Sequence, residues 1–170
     1  MCGPEVTSRP RGGALAALSA PRNNSLCHLS LQGDLAFHTP GQPGSAEATH
    51  ARFTPSERGG LTLGDVDSLR VVIHSIGDMT KAADDCGLFR QFTIGNAVPS
   101  SSYVELPLDS PLSLEVGNGG IIGRRVSISS TMESGPEVLL AEGIVGFNFL
   151  EQRPPLCDPR RDEAGEASAN

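Results

Sequence analysis

Alternation of apolar and polar residues is clearest in the second half of the chain. Residues 110–117 (SPLSLEVG) and 125–132 (RVSISSTM) change character at nearly every position, and residues 137–150 (EVLLAEGIVGFNFL) place several apolar side chains on one face. This is the period of a strand with one buried face. Because turn-forming residues separate the three segments, we expect an antiparallel meander. Weaker strand candidates occupy residues 27–32, 34–39, 47–53, 88–94 and 101–106.

The segment from Gly59 to about Asp85 has a different pattern. Its apolar residues recur at spacings of three and four, the helical period: Val66, Leu69, Ile73 and Ile76. Residues 70–76 (RVVIHSI) are also rich in β-branched side chains, which favour a strand. A buried helix over residues 60–76 reconciles the two observations. The chain therefore predicts weak strands, one central helix, and then a long antiparallel run.

This order resembles the hotdog fold, an α+β architecture in which a curved antiparallel sheet wraps around one central helix. In hotdog thioesterases of the phenylacetate-pathway and mammalian acyl-CoA types, the helix opens with His-Gly-Gly and an acid follows after six intervening residues. Arg58-Gly59-Gly60, then residues 61–66, then Asp67 keeps that register. Residues 51–60 (ARFTPSERGG), 100–116 and 139–149 are also similar to segments of the family. The resemblance covers residues 26–151.

The resemblance implies an acyl-CoA or acyl-carrier thioesterase of lipid metabolism. Asp67 would be the base or nucleophile, and the N–H of Gly60 would stabilise the oxyanion at a helix start. Gly59 would belong to the glycine turn that binds the substrate. Apart from the resemblance, His74 is seven residues after Asp67 and is a candidate substrate-site acid or base, or else a hydrogen-bonded structural histidine. Ser101 is a candidate for the lining of a substrate channel, or else a polar strand edge. Arg58 replaces the family's histidine, and as a bulkier, permanent cation it would bind a CoA phosphate or mark a loss of activity.

Two alternatives to the thioesterase stay open. The first is a non-catalytic hotdog protein, either an acyl-binding module or a structural subunit of a larger assembly. The second is an enoyl-CoA hydratase-like protein, because residues 75–83 (SIGDMTKAA) resemble the hydratase motif at Asp78. In that motif Ala83 stands in the position of the histidine. The resemblance also implies a homodimer or a higher homo-oligomer, since a hotdog sheet otherwise leaves an edge strand unpaired.

The amino-acid composition gives no support for nucleic-acid binding, a membrane span, a structural zinc site or a cofactor. The net charge is −7, with 13 basic and 20 acidic side chains, and no basic block supports nucleic-acid binding. No apolar run reaches the length of a membrane span. The four cysteines form no C-x-x-C pair, so we expect reduced thiols and no structural zinc, and nothing indicates a cofactor.

The two ends differ from the middle of the chain. Residues 1–25 contain three arginines and one acid, and they predict a disordered tail or an organellar transit peptide. Residues 152–170 are rich in proline, charged and small side chains and predict disorder. The expected location is the cytoplasm, or the mitochondrion if the first 25 residues are a transit peptide.

Overall fold

The structure, a computed structural model, describes residues 10–22, 29–58, 60–66, 68–95, 102–131 and 135–149. Nine strands form one sheet in the order β5-β4-β8-β9-β1-β2-β3-β6-β7. All neighbours are antiparallel except β6 and β7, which are parallel. The strands are β1 Ala14–Leu18, β2 Gly33–His38, β3 Glu47–Pro55, β4 Leu69–Ile73, β5 Arg90–Ile94, β6 Val104–Val116, β7 Gly120–Ile122, β8 Arg125–Thr131 and β9 Glu137–Phe147.

The sheet folds over onto itself and encloses the core. Phe37 on β2 and Phe92 on β5 meet edge to face, with ring centroids 6.4 Å apart, although four strands separate them in the sheet. The two ends of the sheet also approach each other, since β5 contacts β6. The largest fully buried side chains of this core are Phe37, Phe53, Leu31, Leu35, Leu69, Ile73, Ile94, Ile121, Ile128, Leu140, Val71 and Val126.

The predicted hotdog fold is wrong, because its central helix is a strand. Residues 69–73 form β4, which pairs with β5 through Val71 and Phe92 and with β8 through Val71 and Ile128. The described residues contain no helix of seven or more residues, and Leu63–Asp65 and Ala83–Cys86 are 3₁₀ turns. The β-branched run decided the outcome: Leu69, Val71 and Ile73 are buried at a period of two, whereas Ile76 is 42% exposed.

The long antiparallel run is only partly as predicted. All three of its segments are strands, and β8 and β9 form the expected hairpin. However, β6 pairs with β3 and β7, while β8 pairs with β4 and β9. The turn after β6 leads to β7, which is parallel to β6. The chain reaches the other side of the folded sheet only between β7 and β8, so the three segments form no meander.

The sheet also includes residues that the sequence assigned to the terminal tail. Ala14–Leu18 form β1, which lies between β2 and β9. Ala14 and Ala16 are fully buried, so their small side chains suit a strand whose inner face is crowded. The domain begins before residue 26, whereas the predicted C-terminal tail, residues 152–170, lies outside the described residues.

Candidate functional site

The structure describes three of the six predicted site residues. Arg58 is exposed, and its N–H donates to Ser56 Oγ at 3.3 Å. Gly60 follows β3 in an exposed loop, and its N–H already donates to the carbonyl of Ser30 at 3.0 Å. His74 is buried at the end of β4. Asp67, Gly59 and Ser101 lie outside the described residues, so their proposed roles stay predictions.

A cavity of about 820 Å³ lies on the outer face of β4, β8 and β9. Residues 79–84 and 87–88, from the long connection between β4 and β5, form one side of it. Strand alternation creates its floor: Val126 and Ile128 enter the core, whereas Arg125, Ser127 and Ser129 face outward. This volume is within the usual range for small-molecule sites.

His74 and Ser127 form the most constrained contact on the cavity floor. His74 Nε2 lies 2.7 Å from Ser127 Oγ, and His74 Nδ1 lies 3.0 Å from the carbonyl oxygen of Gly87. A carbonyl can only accept, so Nδ1 carries a hydrogen. Burial is the main cause that lowers the pKa of His74, which keeps the ring neutral at pH 7. Nε2 then has a free lone pair that accepts the hydroxyl hydrogen of Ser127.

A buried ion pair joins the cavity floor to its covering loop. The Arg125 guanidinium donates to Glu142 on β9 and, through Nη1, to the carbonyls of Asp78 at 3.2 Å and Lys81 at 2.8 Å. Burial lowers the pKa of Arg125, but the hydrogen bond and charge of Glu142 outweigh it and raise that pKa overall. Arg125 Nε has no protein partner among the described residues.

A second, exposed ion pair marks the rim of the cavity. Arg70 Nη1 lies 3.1 Å and 2.9 Å from the two carboxylate oxygens of Glu137, and Ser129 donates to the same carboxylate. The Ser129 hydrogen bond, followed by Arg70, lowers the pKa of Glu137. Both charged side chains are nearly half exposed, so solvent screens the pair.

Asp78, the residue that resembles a hydratase acid, holds a local turn. Its carboxylate accepts the N–H of Thr80 at 2.8 Å and the hydroxyl of Thr80 at 2.6 Å. These two hydrogen bonds are the main cause that lowers the pKa of Asp78. The Asp-x-Thr spacing is therefore explained by turn geometry, and hydratase activity stays an untested prediction.

An apolar patch lies on another part of the surface. Its residues are Ile76, Gly77, Gly123 and Ile144. A Cβ added at Gly77 would meet the Gly123 carbonyl at 2.0 Å and Ile144 Cδ1 at 3.6 Å, so these three residues are adjacent. Phe147 comes three residues after Ile144 on β9, so strand alternation places it on the opposite face, where its ring centroid is 5.5 Å from that of Phe149. Phe147 is 49% and Phe149 80% exposed.

Sequence reasoning missed Ser127, Arg125 and Glu142. The alternation of residues 125–132 did place Ser127 on the polar face of a strand. With residues 70–76 interpreted as a helix, however, nothing aligned His74 with that face. Among the described residues no group of three or more His, Cys, Asp or Glu could hold a metal ion. Cys86 is a free, buried thiol.

Two further observations bear on the class of the protein. In the part of the chain that the structure describes, no helix is long and apolar enough to cross a membrane. No protein-family model matches the chain, and no curated protein is significantly similar to it.

Proposed function

We propose that this protein is a structural subunit that works as a homodimer and uses the apolar patch as its subunit interface. The observation that carries the proposal is the exposure of Ile76 and Ile144, which are 42% and 38% exposed, around Gly77 and Gly123. Contiguous exposed apolar surface in a soluble domain commonly marks a protein–protein interface.

The charge distribution favours a second copy of this chain as the partner. The chain has a net charge of −7, so two copies repel each other over most of their surfaces. Residues 76–77, 123 and 143–149 contain no ionisable side chain. A twofold interface brings the same patch of both subunits together, and an uncharged patch can face itself without repulsion.

Gly123 leaves room for a partner beside Ile144. A Cβ at Gly123 would meet nothing within 4 Å, whereas the Cβ position of Gly77 is blocked by the Gly123 carbonyl of the same chain at 2.0 Å. The isoleucine of one subunit can therefore pack against Gly123 of the other. A side chain at Gly123 would hold the two backbones apart, because packing at interface cores is as dense as in protein interiors.

The proposal is tested by placing a charge in the patch. Ile144→Asp puts a carboxylate in each copy of the interface, and we expect it to convert a dimer to a monomer in size-exclusion chromatography with light scattering. Leu88→Asp is the matched control, because Leu88 is 58% exposed but lies at the cavity. If both variants keep the mass of the wild type, the patch is not the interface.

Thioester hydrolysis by Asp67 is a separate prediction. It depended on a helix that the described residues do not contain. A panel of acyl-CoA substrates with a free-thiol assay tests it. Hydrolysis that is lost in Asp67→Asn would restore the thioesterase as the function of the chain, whereas no hydrolysis leaves the structural subunit.

A further inference from the structure

His74 and Ser127 combine two elements that acyl-transfer chemistry requires. Ser127 lies on β8, and His74 directly follows β4, which pairs with β8 through Val72 and Ser127. The N–H of His74 donates to the carbonyl of Arg125 at 2.8 Å. These backbone bonds fix both side chains on the outer face. The 2.7 Å contact between His74 Nε2 and Ser127 Oγ is within the reach of a nucleophile and its base.

A third group orients the base. The Gly87 carbonyl accepts the Nδ1 hydrogen of His74, which leaves the Nε2 lone pair directed at the serine hydroxyl. In nucleophilic sites of this type a carboxylate or a carbonyl often performs this role. The neutral state of the ring, favoured by its burial, is the state in which it can accept a proton.

A fourth group can stabilise negative charge. Arg125 is two residues before Ser127 on the same strand and lines the same cavity. The side chain is only 4% exposed, and its guanidinium is held by Glu142. The positive charge that Arg125 brings to this cavity favours the oxyanion, which forms on the acyl oxygen of the substrate when Ser127 attacks.

We infer that Ser127 is a nucleophile that His74 activates, and that the protein hydrolyses small acyl esters or thioesters in this cavity. Ser127 Oγ attacks the acyl carbon while its proton moves to His74 Nε2. The bond to the leaving alkoxide or thiolate then breaks, and His74 returns the proton to that group. Water next attacks the acyl-serine, gives its proton to His74, and releases the carboxylic acid as Ser127 Oγ recovers a proton.

The cavity limits the size and character of the substrate. Its volume of about 820 Å³ accommodates a small molecule but no folded partner. Val72, Met79 and Leu139 provide apolar contacts for an acyl chain, and Lys81 and Arg70 are cations on its lining. This activity is independent of the proposed dimer, because the apolar patch shares none of these residues.

The test uses a fluorophosphonate probe, which reacts covalently with activated serines, and peptide mapping by mass spectrometry on the full chain. We expect one label, on Ser127, together with hydrolysis of p-nitrophenyl butyrate. Ser127→Ala should abolish both. Ser113→Ala is the control, because Ser113 lies on β6 and outside the cavity lining, and this variant should retain both.

The role of the base is tested separately. His74→Gln should slow labelling by a factor of about 10² to 10⁴, the usual contribution of a general base. If that variant fails to fold, the pH profile of the wild type replaces it. The labelling rate should then fall in acid with a midpoint below about 6.5, the ordinary pKa of histidine. No label, a label on another serine, or a label that persists in Ser127→Ala would overturn the inference.

Discussion

The buried ion pair between Arg125 and Glu142 should dominate the stability of the cavity region. Their side chains are 4% and 5% exposed. Glu142→Gln keeps the shape of the side chain but removes its charge, so the Arg125 guanidinium is left buried and uncompensated. Breaking a buried pair in this way costs about 3 to 5 kcal/mol. The same change leaves the Arg125 side chain less firmly positioned, and this side chain donates hydrogen bonds to the carbonyls of Asp78 and Lys81.

The exposed pair on the rim provides the comparison. Glu137→Gln removes the charged partner of Arg70, whose side chain is 48% exposed and also donates to Gln91. Exposed pairs contribute roughly 0 to 1 kcal/mol, so this variant should unfold almost like the wild type. The two substitutions make the same chemical change on the same strand, and only burial distinguishes them.

Urea unfolding at pH 7 and one fixed protein concentration measures both effects. With a slope of about 2 kcal/mol per molar, the Glu142→Gln midpoint should fall by roughly 2 M, and the Glu137→Gln midpoint by less than about 0.5 M. Arg125→Met combined with Glu142→Leu should recover most of the loss, because apolar residues of similar volume replace buried pairs at little cost. Equal shifts for the two glutamates would refute the reasoning.

Two other predictions concern the backbone and the pH. Gly120→Ala should lower the free energy of unfolding by about 1 to 3 kcal/mol, because its Cβ would lie 1.9 Å from the Glu115 carbonyl oxygen. A Cβ at Gly119 would meet nothing within 4 Å, so Gly119→Ala should be nearly neutral in the same denaturation assay. The lowered pKa of His74 means that protonation favours the unfolded chain. The stability that neutral His74 provides should be present above about pH 6.5 and lost as the pH falls through the lower folded pKa. Thermal unfolding at a series of pH values should show this loss in the wild type, and no such dependence on His74 should remain in His74→Gln.

Most strands could be predicted from the sequence, because alternation reports directly on which face is buried. Residues 125–131 and 137–147 were found in this way. The pairing of β6 could not be found, since neither its alternation nor the glycine-rich turn after it specifies whether the chain folds back or crosses to the opposite layer. That choice depends on long-range contacts such as Phe37 with Phe92.

The error at residues 60–76 has a specific physical cause. Leu69 and Ile73 are buried in both interpretations, so spacings of three and four could not separate a helix from a strand. Val71 was the informative residue: it is fully buried on the same face as its neighbours at a period of two. The cavity was missed for the same reason, because His74 comes close to Ser127 only when β4 is a strand that pairs with β8.

The apolar patch shows a different limit of prediction from the sequence. Phe147 shares a strand face with Val145, which is buried, yet Phe147 is 49% exposed. Ile144 is on the other face of β9, and its surroundings depend on Gly77 and Gly123, which are distant in the chain. Only the folded arrangement distinguishes a core residue from an interface residue here.

Sedimentation equilibrium of the wild type in dilution series around 10 μM tests the central claim most directly. If the protein is a homodimer, its mass should be twice the 17.7 kDa of the chain and should decrease towards the chain mass on dilution. The Ile144→Asp variant should have the chain mass at every concentration. A single 17.7 kDa species at every concentration would contradict the proposal that the apolar patch joins two copies of this protein.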